Sequence, residues 1–400
     1  MIAQALTDDL HRPRVEGMQE TMSITIELVY ALKNIKKWTE PEEVETPPLM
    51  TGGKSVVYSK PKGVVLIICP FNFPVALTFQ PLIGAIAAGN CCVLKPSELT
   101  PNCAKVIQHI VEKHLDSSAI RVVQGGVHET GELLKLPFDH FFYTGSGRVG
   151  KIVMKAAAEH LSTCTLELGG KSPVYIHEDA NLDVTARRLI ATKYLNDGQV
   201  RLFRYDIQLF MVHTNISLSF FQICIAPDYL LVNERVKDQL VERLKSTLEK
   251  FYGNSKDGMA RLVNEHHFDR VRRMLEEPHG GQVVEGGLER ADRKQKYIPP
   301  TFVLSPSLTS QMMTEEIFGP VLPIIPVKGV QQAVDIVGKK DNPLAAYVFT
   351  ENDQVADSFL GQVQSGCGCV NDAISQIQNP GLPFGGKSLF CASRFALSSN

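Results

Sequence analysis

Cys224 is the residue of this sequence whose possible chemistry is simplest to state. It lies at the start of the strand-like segment "CIAPDYLLV". A deprotonated cysteine is a strong nucleophile that forms covalent intermediates with carbonyl carbon atoms. Cysteine is also a common small apolar residue in protein cores. The position of Cys224 by itself therefore leaves both a reactive thiol and a buried structural thiol open.

A glycine-rich turn and an acid follow one another in the first half of the chain. The segment "FYTGSGRVGK" places Gly145, Gly147 and Gly150 between a strand-like and a helix-like stretch. Backbone N–H groups at such a helix start favour a phosphate, while a tight turn without a ligand gives the same spacing. A dinucleotide fingerprint would assign the acid about 20 residues further on, Glu167, to a ribose. Glu167 instead ends a strand at "TLELGGK", where two glycines leave room for a ligand, and this favours a different role.

Three further polar residues have both a functional and an ordinary structural interpretation. Asn72 stands between two phenylalanines in "PFNFP", where an asparagine usually forms a turn. Lys95 and Glu98 belong to "KPSE", where charges at a helix start are usually solvated. Each residue on its own is therefore weak support for a binding site.

Alternating strand-like and helical segments must position these side chains. The apolar runs "GVVLIIC", "CCVLKP", "IRVVQGG" and "HFFYTG" predict strands. Between and after them, the pattern predicts helices over Leu77–Ala88, Asn102–His114 and Val149–His160. Strands that alternate with helices form a parallel sheet with crossover helices.

A second set of elements follows "TLELGGKSPVYI". Helices are predicted over Asn233–Phe251 and Glu265–Glu277, and strands at "PIIPV" and "AAYVFT". This pattern predicts a second α/β domain, with the boundary near the glycine pair that follows Glu167. The fold class is therefore α/β with two domains.

Composition excludes several classes of protein. The 400 residues carry a formal net charge of −2, which gives no electrostatic basis for binding nucleic acid. Nine scattered cysteines favour reduced thiols in an intracellular, cytoplasmic protein, and they show no zinc-ligand spacing, so no metal is expected. The 32 residues from Gly63 to Leu94 carry no charge, but three prolines divide them into a strand, a loop and a helix rather than a membrane span.

Seven motifs taken together resemble one family. "PFNFP", "AAGNCCVLKPSE", "FYTGSGRVGK", "LELGGKSP", "ICIAPDYLLV", "EEIFGPVLP" and "LPFGG" occur in the order seen in the NAD(P)-dependent aldehyde dehydrogenase superfamily. The resemblance is greatest to its class 3, fatty-aldehyde-oxidising branch. It implies an aldehyde dehydrogenase fold, with a Rossmann-like NAD(P)-binding domain at 1–167, a bridging strand near 53–64 and an α/β catalytic domain at 168–384.

The resemblance also implies a mechanism and its residues. Cys224 matches the nucleophile that attacks the aldehyde carbon. Asn72 matches the side chain that stabilises the oxyanion, and Glu167 matches the general base that activates water for thioester hydrolysis. The expected reaction converts a long-chain or aromatic aldehyde to its acid. Transfer of the acyl group to coenzyme A is the alternative chemistry, and Glu167 favours water.

Cofactor contacts for NAD or NADP are implied in the same way. The adenosine ribose would contact Lys95 and Glu98, and a phosphate would contact Ser146 in the turn formed by Gly145 and Gly150. Many relatives carry a small hydroxyl residue at the position of Gly147, so this chain lacks one such contact. The nicotinamide ribose would contact Glu316 and Phe318.

An apolar run of 23 residues, Val200 to Gln222, separates "NDGQ" from the nucleophile. Glu167 and Cys224 lie 57 positions apart, and removal of the run leaves 34, close to the family spacing. The run lacks Gly and Pro, unlike a solvated loop. We interpret it as a translated intron, with a family-specific surface loop as the alternative. A catalytically impaired or inactive protein that only binds nucleotide is the competing function.

The carboxyl-terminal tail also departs from the family. After Gly386, "KSLFCASRFALSSN" shows neither the expected glycine-rich segment nor the strand that joins the dimer sheet, so residues 385–400 are interpreted as aberrant. The resemblance implies a homodimer and, in some relatives, a membrane-associated tail. Both expectations depend on segments that this sequence does not show.

Overall fold

The computed structural model describes residues 1–12, 14–50, 52–194, 224–253, 259–379, 382 and 384–386. These residues form two compact units. One unit contains Glu20–Leu166, and the other contains Met1–Gln19 together with the described residues from Glu167 onward. The division falls after Leu166, whereas the sequence analysis places Glu167 at the end of the first domain.

We name Glu20–Leu166 the cofactor unit and the other the catalytic unit, after the roles that the sequence predicts for them. The cofactor unit is built on a five-stranded sheet in the order β5-β4-β3-β6-β7. The pairs β3–β4, β4–β5 and β3–β6 are parallel. Strands β4 and β5 lie on one side of β3, and β6 and β7 lie on the other, as in half of a Rossmann-like fold. Its strands are β3 Val64–Ile68, β4 Cys91–Lys95, β5 Ile120–Val122, β6 His140–Gly145 and β7 Thr163–Leu168. Its helices are α2 Arg14–Thr39, which begins in the other unit, α3 Ala76–Ala87, α4 Pro101–His114, α5 Val127–Leu133 and α6 Gly147–Glu159.

The core of this sheet comes from the apolar runs that the sequence identifies. Val65, Ile67 and Leu94 are buried in one cluster with Leu82 of α3 and Ile107 of α4. The charge-free stretch from Gly63 to Leu94 therefore forms a strand, a loop, a helix and a second strand, as predicted. Within the described parts of the chain, no helix is long and apolar enough to cross a membrane.

The catalytic unit is built on a seven-stranded sheet in the order β10-β11-β12-β9-β8-β13-β14. Only the β10–β11 pair at one edge is antiparallel among the pairs with a described register. Its strands are β8 Pro173–Ile176, β9 Tyr229–Asn233, β10 Gln282–Glu285, β11 Thr301–Leu304, β12 Val321–Val327, β13 Ala345–Phe349 and β14 Cys367–Val370. Its helices are α1 Ile2–Leu10, α7 Leu182–Tyr194, α8 Lys237–Tyr252, α9 Glu265–Glu276, α10 Gln311–Thr314, α11 Val330–Val337 and α12 Asp353–Gln362.

The placement of the first 19 residues differs from the sequence prediction, which assigns them to the cofactor domain. They group instead with the catalytic unit. Leu6 and Leu10 of α1 are buried, and the Leu10 carbonyl oxygen accepts a hydrogen bond from the Arg261 N–H at 3.4 Å. Burial of the apolar face of α1 explains this placement, because short helices are stabilised mainly by packing.

A separate two-stranded sheet lies in the cofactor unit. Strand β1, Glu42–Val44, pairs antiparallel with β2, Ser55–Val57. β2 lies inside the segment 53–64 for which the sequence predicts a bridging strand. The role of that strand in oligomerisation stays a prediction.

Candidate functional site

Cys224 lies in the loop that leads into β9, and this loop is anchored after Cys224. Cys224 is half-buried, and Ile225 is buried. The Ile225 carbonyl oxygen accepts a hydrogen bond of 2.7 Å from the hydroxyl of Tyr347, a fully buried residue of β13. Gln376 Nε2 donates to the same Tyr347 hydroxyl at 3.2 Å. The backbone that follows the thiol is therefore tied to the centre of the sheet.

Two carboxylates act on the Cys224 thiol. Burial raises the pKa of Cys224 most, and the negative charges of Glu316 and Glu167 raise this pKa further. The thiol is therefore protonated before it reacts. Both carboxylates thus influence the Cys224 thiol, and all three residues belong to the catalytic unit.

Glu167 lies near the end of β7, and the turn that follows it contacts Glu316. A Cβ atom at Gly169 would lie only 2.4 Å from Glu316 Oε2 and 2.7 Å from Oε1. A side chain at position 169 would therefore require the Glu316 carboxylate to move, whereas glycine leaves space for it where it lies. The sequence predicts that the two glycines leave space for a ligand. In the structure, the Glu316 carboxylate occupies part of this space.

Burial raises the pKa of Glu316 to about 8, and the negative charge of Asp228 acts in the same direction. A hydrogen bond from the Gly170 N–H and the positive charges of Lys171 and Arg270 oppose this rise. Glu316 therefore holds a proton at neutral pH more readily than an ordinary glutamate. A carboxyl group that can gain or lose a proton in the working range of pH is common at functional sites.

Phe318 has an unusual backbone conformation. Its φ is +45°, in the left-handed region that bulky side chains rarely adopt. Such a conformation costs free energy and persists where the surrounding structure enforces it, often at a ligand site. This outlier supports the ligand contact that the family resemblance implies for Phe318.

In the cofactor unit, Asn72 is buried in the loop between β3 and α3. The buried carboxylate of Glu20 accepts hydrogen bonds from the N–H groups of Val75, at 3.1 Å, and Ala76, at 2.9 Å. An acidic group at a helix N-terminus satisfies donors that the helix leaves unpaired and is favoured by the helix dipole. Glu20 therefore fixes the end of the loop that carries Asn72.

Lys95 ends β4 with its side chain only 2% exposed. Its Nζ donates to the Pro96 carbonyl oxygen at 2.8 Å and lies 3.6 Å from Glu98 Oε2. The Glu98 side chain is 45% exposed, so its carboxylate is accessible to ribose hydroxyl groups. The pair lies at the carboxyl end of a parallel strand, where ligands of open α/β sheets bind.

The glycine-rich turn joins β6 to α6. Ser146 is the exposed N-cap residue of α6, and its carbonyl oxygen accepts hydrogen bonds from the Gly150 N–H and the Tyr143 hydroxyl. A Cβ at Gly145 would lie 2.3 Å from the Tyr143 hydroxyl oxygen, so this position requires glycine. The first N–H groups of α6 and its dipole suit a phosphate, whereas Gly147 offers no side chain. These residues fit the pyrophosphate of NAD(P).

The structure thus brings the predicted residues into two groups. Cys224, Glu167 and Glu316 come together in the catalytic unit. Asn72, Lys95 and the Gly145–Gly150 turn all lie at the carboxyl edge of the five-stranded sheet. The apolar run at 200–222 and the tail after Gly386 lie outside the described residues. No cluster of three or more His, Cys, Asp or Glu residues suited to a metal ion occurs among the described residues.

Sequence reasoning missed four residues that hold the site. Tyr347 anchors the Cys224 loop, Glu20 anchors the Asn72 loop, and Lys171 and Asp228 form an ion pair that binds the backbone beside Glu316. Lys171 and Asp228 belong to the motifs "LELGGKSP" and "ICIAPDYLLV", so their place in those motifs was the available signal. Tyr347 and Glu20 lie in an apolar strand and a long helix that give no such signal.

Comparison with known proteins establishes the family. The aldehyde dehydrogenase family model matches residues 1–220 and 211–389. "Aldehyde dehydrogenase, dimeric NADP-preferring" from Canis lupus familiaris is 39% identical over 390 residues, covering 96% of this chain and 80% of that protein. "Aldehyde dehydrogenase family 3 member A2" from Macaca fascicularis is 40% identical over 389 residues, covering 96% of this chain and 74% of that protein.

A solved structure agrees with this result. The substrate-bound state of Staphylococcus aureus AldH is similar with a TM-score of 0.87 and 39% identity, covering 98% of this chain and 81% of that one. The α/β architecture and the class 3 resemblance predicted from the motifs are therefore confirmed. The chain belongs to the NAD(P)-dependent aldehyde dehydrogenase family, whose members oxidise aldehydes, and within it to the class 3 branch.

Proposed function

We propose that this protein oxidises a long-chain aliphatic or aromatic aldehyde to its carboxylic acid, with Cys224 as the nucleophile and Glu167 as the general base. The observation that carries the proposal is the buried Lys171–Asp228 ion pair, which joins the segment of Glu167 to the segment of Cys224 within one unit. A nucleophile and a base must lie close together for covalent catalysis followed by hydrolysis. The class 3 resemblance supplies the class of aldehyde.

The first chemical step is attack of Cys224 Sγ on the aldehyde carbon. The resting thiol has a raised pKa, so its proton must pass to a water molecule as the carbon–sulfur bond forms. The aldehyde oxygen gains the electron pair of its π bond, and the oxyanion needs fixed hydrogen-bond donors, the role we assign to Asn72. The loop carrying Asn72 is held by Glu20, as such a donor requires.

NAD(P)⁺, when bound, would supply the acceptor for the hydride of the tetrahedral carbon. The carbon then becomes a thioester of Cys224. Glu167 accepts a proton from water, the resulting hydroxide attacks the thioester carbonyl, and the Cys224 thiolate leaves with the electron pair of the broken bond. A base next to the thiol supports water as the acyl acceptor rather than coenzyme A.

We assign binding of the cofactor to the groups with suitable chemistry. Ser146 and the first turn of α6 would hold the pyrophosphate, and Lys95 and Glu98 would hold the adenosine ribose. Glu316 would accept hydrogen bonds from the nicotinamide ribose, beside Phe318. The relative from Canis lupus familiaris is named NADP-preferring, which supports a nicotinamide cofactor here.

The test compares the parent with Cys224→Ser in chains that lack Val200–Gln222. We expect Cys224→Ser to abolish aldehyde-dependent NAD(P)H formation and to leave nucleotide binding within about twofold of the parent, because the assigned cofactor contacts lie on other residues. Absorbance at the NAD(P)H band measures the first quantity, and NAD(P)H fluorescence titration measures the second. Comparable dehydrogenase activity in the serine variant would show that Cys224 is not the nucleophile.

Impaired catalysis in the intact chain is the second candidate. The two segments matched by the family model overlap only at 211–220, inside the apolar run. This supports an interruption of the family sequence just before Cys224. The intact chain would then bind nucleotide and oxidise aldehydes poorly.

A further inference from the structure

Lys171 and Asp228 occupy equivalent positions in the sequence, each shortly after a proposed catalytic residue. Lys171 follows Glu167 by four positions, and Asp228 follows Cys224 by four positions. Both side chains are buried, 7% and 5% exposed, and they form a direct ion pair between Nζ and Oδ2. The segments that carry the base and the nucleophile are therefore joined by one buried charge pair.

The same pair binds the backbone on both sides of Glu316. Lys171 Nζ donates to the carbonyl oxygens of Met312 and Glu315, each at 2.8 Å. Asp228 Oδ1 accepts a hydrogen bond of 3.1 Å from the Ile317 N–H. These three bonds hold the backbone of the residues immediately before and after Glu316. The backbone conformation at Glu316 is therefore fixed by buried side chains.

Arg270 of α9 adds two bonds to the same segment. Its Nη1 donates to the Glu316 carbonyl oxygen at 3.0 Å, and its Nη2 donates to the Ile317 carbonyl oxygen at 2.5 Å. The side chains of Lys171, Asp228 and Arg270 thus bind five main-chain polar groups of the segment 312–317. A loop held in this way keeps one conformation, which a ligand-binding carboxylate requires.

A buried ion pair is weak evidence for stability, because desolvation of two charges offsets much of their attraction. The geometry here points to positioning instead. Lys171 and Asp228 use their remaining hydrogen-bonding capacity on the Glu316 segment, and the Glu316 carboxylate in turn fills the space left by Gly169. One pair therefore connects the segments of Glu167, Cys224 and Glu316.

We infer that Lys171 and Asp228 are positioning residues that hold the Glu316 carboxylate in a fixed position relative to Glu167 and Cys224. The consequence for the cofactor rests on the proposed function, in which Glu316 contacts the nicotinamide ribose. Loss of the pair would weaken binding of that half of the cofactor and leave the adenosine half unaffected.

Hydrogen exchange in the full-length chain tests the positioning without any cofactor. The variants are Asp228→Asn, which keeps the size but removes the charge, and Lys171→Met, which removes the three donors. We expect exchange of the Ile317 N–H to rise about tenfold or more in each variant, because hydrogen bonds to charged groups are among the stronger ones. Asp372→Asn is the matched control, since its partner Arg188 lies 3.8 Å away in a partly buried pair that does not contact 312–317.

Ligand binding to the same variants tests the consequence. We expect NADH to bind about tenfold more weakly to Asp228→Asn and Lys171→Met than to the parent, whereas ADP, which lacks the nicotinamide ribose, binds equally to all three. A general loss of structure would weaken both ligands. NADH fluorescence and competition by ADP measure the two dissociation constants.

The outcomes separate the inference from the proposed function. Unchanged exchange of Ile317 in both variants would overturn the inference, and so would loss of exchange protection throughout the unit, which would make the pair a general structural element. Faster exchange at 312–317 with no change in NADH binding would support the positioning and instead overturn the assignment of Glu316 to the ribose.

Discussion

The Glu316 carboxylate occupies the space that a Cβ atom at Gly169 would need. A Cβ built on Gly169 lies 2.4 Å from Oε2 of Glu316, well inside van der Waals contact. The turn that follows the proposed base and the segment that carries the proposed ribose ligand are thus in direct contact within the catalytic unit. The size of residue 169 and the position of the Glu316 carboxylate therefore depend on each other.

Gly169→Ala should therefore displace Glu316. We expect NADH to bind more weakly, by about tenfold, while the global stability changes little, because the carboxylate can rotate away at the cost of its hydrogen bond from Gly170. Gly361→Ala in α12 is the control, since its Cβ meets no atom within 4 Å and alanine is favoured in a helix. Equal NADH affinity in the two variants, from fluorescence titration, would contradict this prediction.

Glu167→Gln should separate the two halves of the reaction. Attack by Cys224 and hydride transfer precede hydrolysis, so a single-turnover burst of NAD(P)H should survive while steady turnover slows by about 10²–10⁴-fold, the usual contribution of a general base. Stopped-flow absorbance in chains without Val200–Gln222 measures both phases. If the burst disappears while nucleotide binding remains, then Glu167 acts before hydride transfer.

The raised pKa of Glu316 gives a stability change with a definite sign. Its carboxyl group titrates near 4.3 in an unfolded chain and near 8 in the folded protein, so between these values the folded state holds one more proton than the unfolded state. The contribution of Glu316 to the free energy of unfolding should therefore be fully present below about pH 4 and be lost as the pH rises through 8.

Denaturant unfolding of the parent and Glu316→Gln from pH 5 to pH 9 tests this prediction. The parent should lose stability relative to the glutamine variant over that interval, because glutamine does not titrate. Other groups that titrate in the same interval contribute equally to both proteins and cancel in the difference. A difference that stays constant with pH would show that Glu316 has an ordinary pKa in the folded state.

Strong local patterns in the sequence were sufficient to predict the sheets and helices. The apolar runs around Val65 and Leu94 form buried parallel strands, and the glycine turn at Gly145 begins α6, as predicted. The placement of α1 with the catalytic unit was not predicted, because it depends on a contact between Leu10 and Arg261, which lie far apart in the chain. No local pattern contains such a contact.

The supporting residues of the site show the same limit. Glu20 and Val75 are 55 positions apart, and Lys171 and Glu315 are 144 apart. Each pair meets only because the fold brings distant segments together. Cys224, Glu167 and Asn72 could be predicted as site residues because each lies inside a short motif. Tyr347 acts through a contact that lies outside any motif.

The 23-residue run before Cys224 leads to the last prediction. The backbone after Cys224 is held firmly, since Tyr347 binds the Ile225 carbonyl oxygen and Lys171 binds Asp228. Only the approach from the amino-terminal side differs from the family spacing, and there the run ends at Gln222, two positions before the thiol. A long insertion costs little in loop-closure entropy, so the run need not unfold either unit.

Deletion of Val200–Gln222 should therefore raise aldehyde-dependent NAD(P)H formation, by about a hundredfold, because catalytic groups must be held within about half an ångström and a misplacement of about 1 Å costs that much in rate. Both chains should fold, as judged by circular dichroism, and should bind nucleotide equally. The deleted chain with Cys224→Ser is the control and should be inactive. An intact chain as fast as the deleted one would show the run to be a tolerated loop. Sequencing of the transcript across codons 195 to 230 would then show whether a spliced form without the run is made at all.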